Sequence, residues 1–180
     1  MKQIKILIVS VVLCLAAGGI GGLFTASAIL NWYADLTKPS FNPPNSVFAP
    51  VWTALYILIG VSLALVWNAN WRVNNKLLTS GKKPWNKWSE RFWMGDLQKQ
   101  NIIAIFAVQL VLNVLWSYIF FGKHSIGLAL ADILALWFAI LYTIINFYRV
   151  SKPAAFILVP YILWVTFAAY LNYAIWMLNL

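Results

Sequence analysis

The chain has 180 residues, 63% of them hydrophobic and only 9% charged, where a soluble domain carries about a quarter charged residues. That leaves too little polar surface to coat a water-facing core, so the bilayer is the natural solvent, and the net charge of +9 must be read by its position along the chain. One cysteine, Cys14, excludes an internal disulfide framework and a Cys-rich metal site, and one histidine, His124, argues against a zinc cluster.

Lys2 and Lys5 precede the apolar run ILIVSVVLCLAAGGIGG. A secretory signal begins the same way, but here the run continues to Leu30, longer than a signal core. Leu13 is also too bulky to precede a lipoprotein-type cysteine. The expectation is a retained transmembrane helix over residues 6–30. Four further stretches approach the roughly 20 apolar residues that a span needs: 46–67, 102–121, 125–148 and 154–178. Helices are expected because lipid cannot satisfy loose backbone polar groups, and the segments do not alternate in polarity as barrel strands do. The predicted fold class is an all-α integral membrane protein, a single domain built as a five-transmembrane-helix bundle.

Five spans put the termini on opposite sides. Every one of the 13 lysines and arginines except Lys38 and Lys123 falls on the side of the N-terminus, the 68–101 connector and the 149–152 turn. That asymmetry predicts a cytoplasmic N-terminus and 68–101 connector for direct insertion into an inner membrane. The charge is then a topology and lipid-headgroup signal, and nucleic acid is not a predicted partner. Within 68–101, Lys and Arg interleave with Trp85, Trp88 and Trp93, which predicts a segment lying on anionic lipid with indoles at headgroup depth. A partner-docking role is the other reading.

The 31–45 connector, NWYADLTKPSFNPPN, is rich in aromatics and prolines. Pro39, Pro43 and Pro44 stiffen it and lower the entropy lost on ordering, and Trp32 and Phe41 offer apolar surface to a bundle mouth. Trp52, Asn113, Trp116, Ser117, Asp132, Ala168 and Asn172 fall in the half of the bundle beneath that connector, with Trp164 near mid-depth. This favours a lid over a pocket. The plain alternative is that Trp32 anchors at the interface and the prolines only end one helix and start the next. Asp132, an ionisable group within a span, is a functional candidate or a packing device. Asn113 and Asn172 either join helices or present amides to a ligand. Gly18, Gly22 and Ala26, four residues apart, permit close helix approach.

WYADLTKPSFNPP, VWTALY, LVLNVLWSYIFFG and VPYILWVTFAAYLNYAIWMLN resemble, in order, signatures of the TspO/MBR family (tryptophan-rich sensory protein/translocator protein). The resemblance spans nearly the whole chain. It implies a five-helix bundle whose first loop closes a pocket for porphyrins and other tetrapyrroles, and for isoquinoline- or benzodiazepine-type ligands. It also implies frequent homodimers and, for some members, light-dependent porphyrin breakdown. By motif, Trp52 and Trp164 match the pocket tryptophans tied to porphyrin chemistry and are the catalytic candidates if breakdown occurs. Asn113 matches a ligand-binding amide, Ala168 a small residue where bulk alters binding, and Trp32 the lid tryptophan. With Trp116 and Asn172 these form the predicted ligand-binding set, and Pro39, Phe41, Pro43 and Pro44 the predicted lid. No metal is expected; a tetrapyrrole is the expected ligand, and membrane lipid an expected partner. The sterol-recognition segment lacks its basic residue, since LNYAIWMLNL carries Met177 and no Lys or Arg. The 68–101 connector is longer than the family's usual one. Sensing, transport with Asp132 in proton coupling, and scaffolding remain alternatives.

Overall fold

The computed structural model describes residues 1–69 and 89–180, with side chains for 1–69 and 100–180. The lipid-surface reading of the 68–101 connector rests on Trp85, Trp88 and the side chain of Trp93, which lie outside the described residues. Helix α1 is Lys2–Ala28, α2 Trp32–Asp35, α3 Asn45–Asn68 and α4 Ser89–Ser117. A π-helical turn follows over Tyr118–Gly122, then α5 Ile126–Val150, α6 Lys152–Ile157 and α7 Val159–Leu178. Strands are absent among the described residues.

Among the described residues, five helices are long and apolar enough to cross a membrane: Lys2–Ala28, Asn45–Asn68, Gln100–Gly122, Ile126–Val150 and Lys152–Leu178. Long helices that are apolar on every face bury nothing polar in lipid, which is why they form as spans. The chain is a multi-pass membrane protein. Two of the expected spans differ in detail. The third helix begins at Ser89, well before residue 102. The fifth is broken at Leu158 into α6 and α7, because Pro160 has no N–H to donate back into the preceding turn.

Packing closes the spans into a ring. α1 lies against α3 and α4, α4 against α5, α5 against α6 and α7, and α6 and α7 against α3. The backbones of α3 and α1 meet closely at Gly60, where a Cβ would sit 2.6 Å from the Val11 Cα and 3.0 Å from the Ser10 carbonyl oxygen. Only a residue without a side chain permits that approach of α3 to α1. The Ser62 hydroxyl donates to the Ala154 carbonyl at 2.7 Å and pins α3 to α6. In this half of the ring the interior is filled by Ile59, Leu63, Val66, Phe106, Leu136, Ile140, Phe147, Leu158 and Val165. The other half, under the 31–45 connector, is hollow.

Candidate functional site

A cavity of about 490 Å³ occupies that hollow half, within the size range of small-molecule sites. Its wall takes residues from α1, α2, α3, α4, the π turn and α7, and none from α5. Trp52, Asn113, Trp116, Trp164, Ala168 and Asn172 all line it. Six of the seven residues expected to form a ligand site therefore surround one space. The rotation of the helices, undetermined in the sequence, turns the three indoles inward.

The aromatic rings are held at contact distance. Trp52 lies 5.8 Å from Tyr56 and 6.5 Å edge-on from Tyr161. Trp164 meets Phe48 at 6.3 Å and Phe167 at 5.5 Å, and Trp116 stacks on Phe120 at 5.3 Å. The π turn, with Lys123 N–H reaching back five residues to the Tyr118 carbonyl at 2.8 Å, carries Phe120 and Phe121, both buried, into the wall. Such turns recur at functional positions of helices.

The floor is polar, and all but one of the partners are other side chains. The Tyr56 hydroxyl donates to Asn113 Oδ1, and Asn113 Nδ2 donates to the Tyr161 hydroxyl at 2.8 Å. Asn172 is engaged on both ends: its Oδ1 accepts from Trp116 Nε1 at 3.0 Å, and its Nδ2 donates to the Ile126 carbonyl at 3.0 Å. Both asparagines thus join helices, as one of the two sequence readings had it, and both line the cavity. Asp132 is buried on α5, away from the cavity wall, and its Oδ2 has no hydrogen-bond partner among the described residues.

The 31–45 connector roofs this space. Its short helix α2 turns Tyr33 inward, 3% exposed, where it lines the cavity. The Tyr33 hydroxyl donates to Asn42 Oδ1 at 2.8 Å, and Lys38 Nζ lies over its ring at 4.9 Å. Burial raises the Tyr33 pKa above its ordinary value, with the Asn42 hydrogen bond opposing in part. Trp32 is not part of the cavity wall. It stacks on His124 at 4.3 Å and meets Phe120 edge-on at 5.5 Å. His124 adopts φ 55°, an unusual conformation for a non-glycine residue. Phe41 stacks on Tyr170 at 5.1 Å. Phe41, Pro39, Pro43 and Pro44 shape the connector from outside the cavity lining.

Four contributors were not legible beforehand. Asn179 clamps the roof: its Oδ1 accepts from the Thr37 N–H at 3.0 Å and its Nδ2 donates to the Thr37 carbonyl at 2.9 Å. These partners are 142 residues apart, so no local pattern announces them. Tyr56 and Tyr161, which orient Asn113, read in sequence as ordinary span aromatics. Tyr33 was visible within the quoted connector but unassigned. The small-residue series on α1, Gly18, Gly22 and Ala26, lines the cavity, with Gly18 also against the Tyr56 ring. Among the described residues no three His, Cys, Asp or Glu side chains come together as a metal site.

Fold and site together define a five-span α-helical membrane protein with an aromatic cavity sealed at one end by an ordered loop. The model of the TspO/MBR family matches residues 10–177, and the chain belongs to that family. Among its relatives, the tryptophan-rich protein TspO of Chlorobaculum tepidum is 41% identical over 179 residues, 99% of this chain and 98% of that protein. The tryptophan-rich protein TspO of Archaeoglobus fulgidus is 39% identical over 173 residues, 96% of each chain. The translocator protein of Homo sapiens is 34% identical over 159 residues, 87% of this chain and 80% of that protein.

Proposed function

We propose that the protein is a membrane receptor or carrier that holds a porphyrin-type tetrapyrrole in the cavity beneath the 31–45 lid. The observation that carries this reading is the convergence of Trp52, Trp116 and Trp164, from three different spans, on one apolar space. Flat indole faces suit a flat macrocycle, each stack contributing about 0.5–1.5 kcal/mol beyond the area buried. The name translocator protein borne by relatives accords with a carrier role. The same reading puts the N-terminus and the 68–101 connector on the cytoplasmic side, supported by the distribution of Lys and Arg, and the lid on the opposite side.

The test is a titration of the purified protein with a free-base porphyrin, read by tryptophan quenching. Saturable quenching is expected. Replacing both Trp52 and Trp164 with Leu removes two stacking partners and should weaken binding by roughly 5- to 150-fold, from about 1–3 kcal/mol in total. Affinity unchanged in that double variant would overturn the assignment of the cavity.

A further inference from the structure

The cavity wall is closed on one side and open on the other. All of its residues on α4, the π turn and α7 are buried or half-buried. Six of its residues are exposed, and all six lie on α1 or α3: Gly19, Gly22, Ala26, Asn45, Ala49 and Thr53. A residue that lines a cavity and also meets the exterior marks an opening, and these six mark the seam between α1 and α3.

The course of the two helices accounts for the gap. They touch backbone to backbone at Gly60 and Val11, and Gly18 is covered by the Tyr56 ring. Nearer the lid the packing stops: a Cβ added at Gly19 or Gly22 would meet no heavy atom within 4 Å. The rim is apolar along the span. Thr53 satisfies its hydroxyl within α3, donating to the Ala49 carbonyl at 2.8 Å, so glycine, alanine and a capped threonine face the lipid. Asn45, at the lid end of α3, is the polar member.

The route through the lid is shut by comparison. Tyr33 fills the roof, Asn179 holds Thr37 by two hydrogen bonds, and Phe41 and Trp32 are stacked on Tyr170 and His124. Passage there requires breaking all of these contacts, whereas the seam requires none to be broken.

We propose that the slot between α1 and α3 is a lateral portal through which a membrane-dissolved, planar, amphipathic ligand enters the cavity from among the acyl chains. Its apolar body passes the Gly19, Gly22, Ala26 and Ala49 rim while its polar substituents stay at the height of Asn45, near the headgroups. This rests on the reading of the cavity as a ligand site, and it adds the path and the amphipathic class of ligand that the path admits.

The portal is tested by stopped-flow tryptophan quenching, with a free-base porphyrin preloaded into phosphatidylcholine vesicles holding the protein. Gly22→Leu and Ala49→Leu place bulk in the slot. Each should slow association by about tenfold, equivalent to a barrier raised by ~1.4 kcal/mol, and should slow dissociation as well. A damaged pocket would speed dissociation, so the sign of that change separates a gate from a lost contact. Phe41→Ala, which loosens the lid, should leave both rates as in the unaltered protein. Association unaffected by the rim variants, or accelerated by Phe41→Ala, would overturn the portal in favour of entry through the lid.

A ligand-independent readout separates this inference from the assignment of the cavity. A spin label at Gly22→Cys, with Cys14 fully buried and out of reach of the reagent, should collide with dissolved oxygen and be shielded from a water-soluble nickel chelate. Access by nickel, or by neither quencher, would refute a slot open to lipid. A lipid-facing label combined with no porphyrin binding would sink the ligand assignment and leave the opening in place.

Discussion

Removing the side chain of Asn179 tests whether the lid is a held structure. Asn179→Ala deletes the acceptor for the Thr37 N–H and the donor to the Thr37 carbonyl, at 3.0 and 2.9 Å, and also the Nδ2 bond to Ile175 at 2.7 Å. A net hydrogen bond is worth about 0.5–1.5 kcal/mol. The Thr37 pair is exposed, so the freed backbone groups regain water and no burial penalty is added. The two lid bonds together should then cost about 1 kcal/mol, the lower end of that range. This corresponds to a roughly fivefold rise in the open-lid population. The assay is native-state hydrogen exchange at Asn42, whose N–H bonds the Pro39 carbonyl at 3.0 Å within the lid and is untouched by the substitution. Its protection should fall by that factor, while amides of the α5 core are unchanged. Asn179→Asp keeps an acceptor for the Thr37 N–H and sets a charge against the Thr37 carbonyl, so it should recover part of the protection at most. If Thr37 alone exchanges faster and Asn42 does not, the clamp is incidental and the aromatic stacks hold the lid.

Gly60→Ala should lower the thermal midpoint in detergent by the equivalent of about 1–3 kcal/mol, as overpacking does, because its Cβ meets the Val11 backbone. Gly19→Ala, which meets nothing, is the control expected to be neutral. Tyr33 gives the lid a pH dependence: its folded-state pKa is raised, so the folded protein holds the proton more tightly than the unfolded chain does. Its contribution is therefore fully present below the ordinary tyrosine value near ~10 and is lost as pH rises above it. Lid exchange at Asn42, corrected for intrinsic rates, should be flat across neutral pH and accelerate above about pH 10 in the native protein but not in Tyr33→Phe.

The spans were readable because lipid imposes a strict rule: some twenty apolar residues, helically paired with themselves. The position of the lid was readable from its prolines, and the depth of Trp52, Asn113, Trp116 and Asn172 from counting along helices. Depth is one coordinate; rotation about the axis is the other. An amphipathic soluble helix reveals its rotation through its polar face, but a helix surrounded by lipid and apolar neighbours does not. Depth put Trp52, Trp116 and Trp164 at a similar level, and the family motifs then paired Trp52 with Trp164. Contacts between distant parts of the chain were hidden for a different reason. Asn179 and Thr37, or Tyr56 and Asn113, have ordinary local surroundings, and their significance exists only once the ring of helices is closed. The break at Leu158 follows from Pro160, a local signal that the length of the apolar run obscured.

The commitment of the cavity's asparagines has a consequence for selectivity. Asn113 is tied to two tyrosines and Asn172 to an indole and a backbone carbonyl. Each amide keeps one N–H and one oxygen lone pair free, but its orientation is fixed by the bonds it already makes. A guest that demanded their full capacity would have to break bonds inside a low-dielectric bundle, leaving Tyr56 or Trp116 unpaired at a cost of about 1–3 kcal/mol for each orphaned group. On the proposed reading, the interior therefore discriminates mainly by shape and aromatic surface, set by Trp52, Trp116, Trp164 and the smallness of Ala168. The cavity's edge, where Asn45 is exposed and the headgroups begin, adds polar discrimination. Such a division suits a flat molecule with an apolar body and polar substituents at its margin, and a wholly apolar guest of the same outline would gain nothing from the edge.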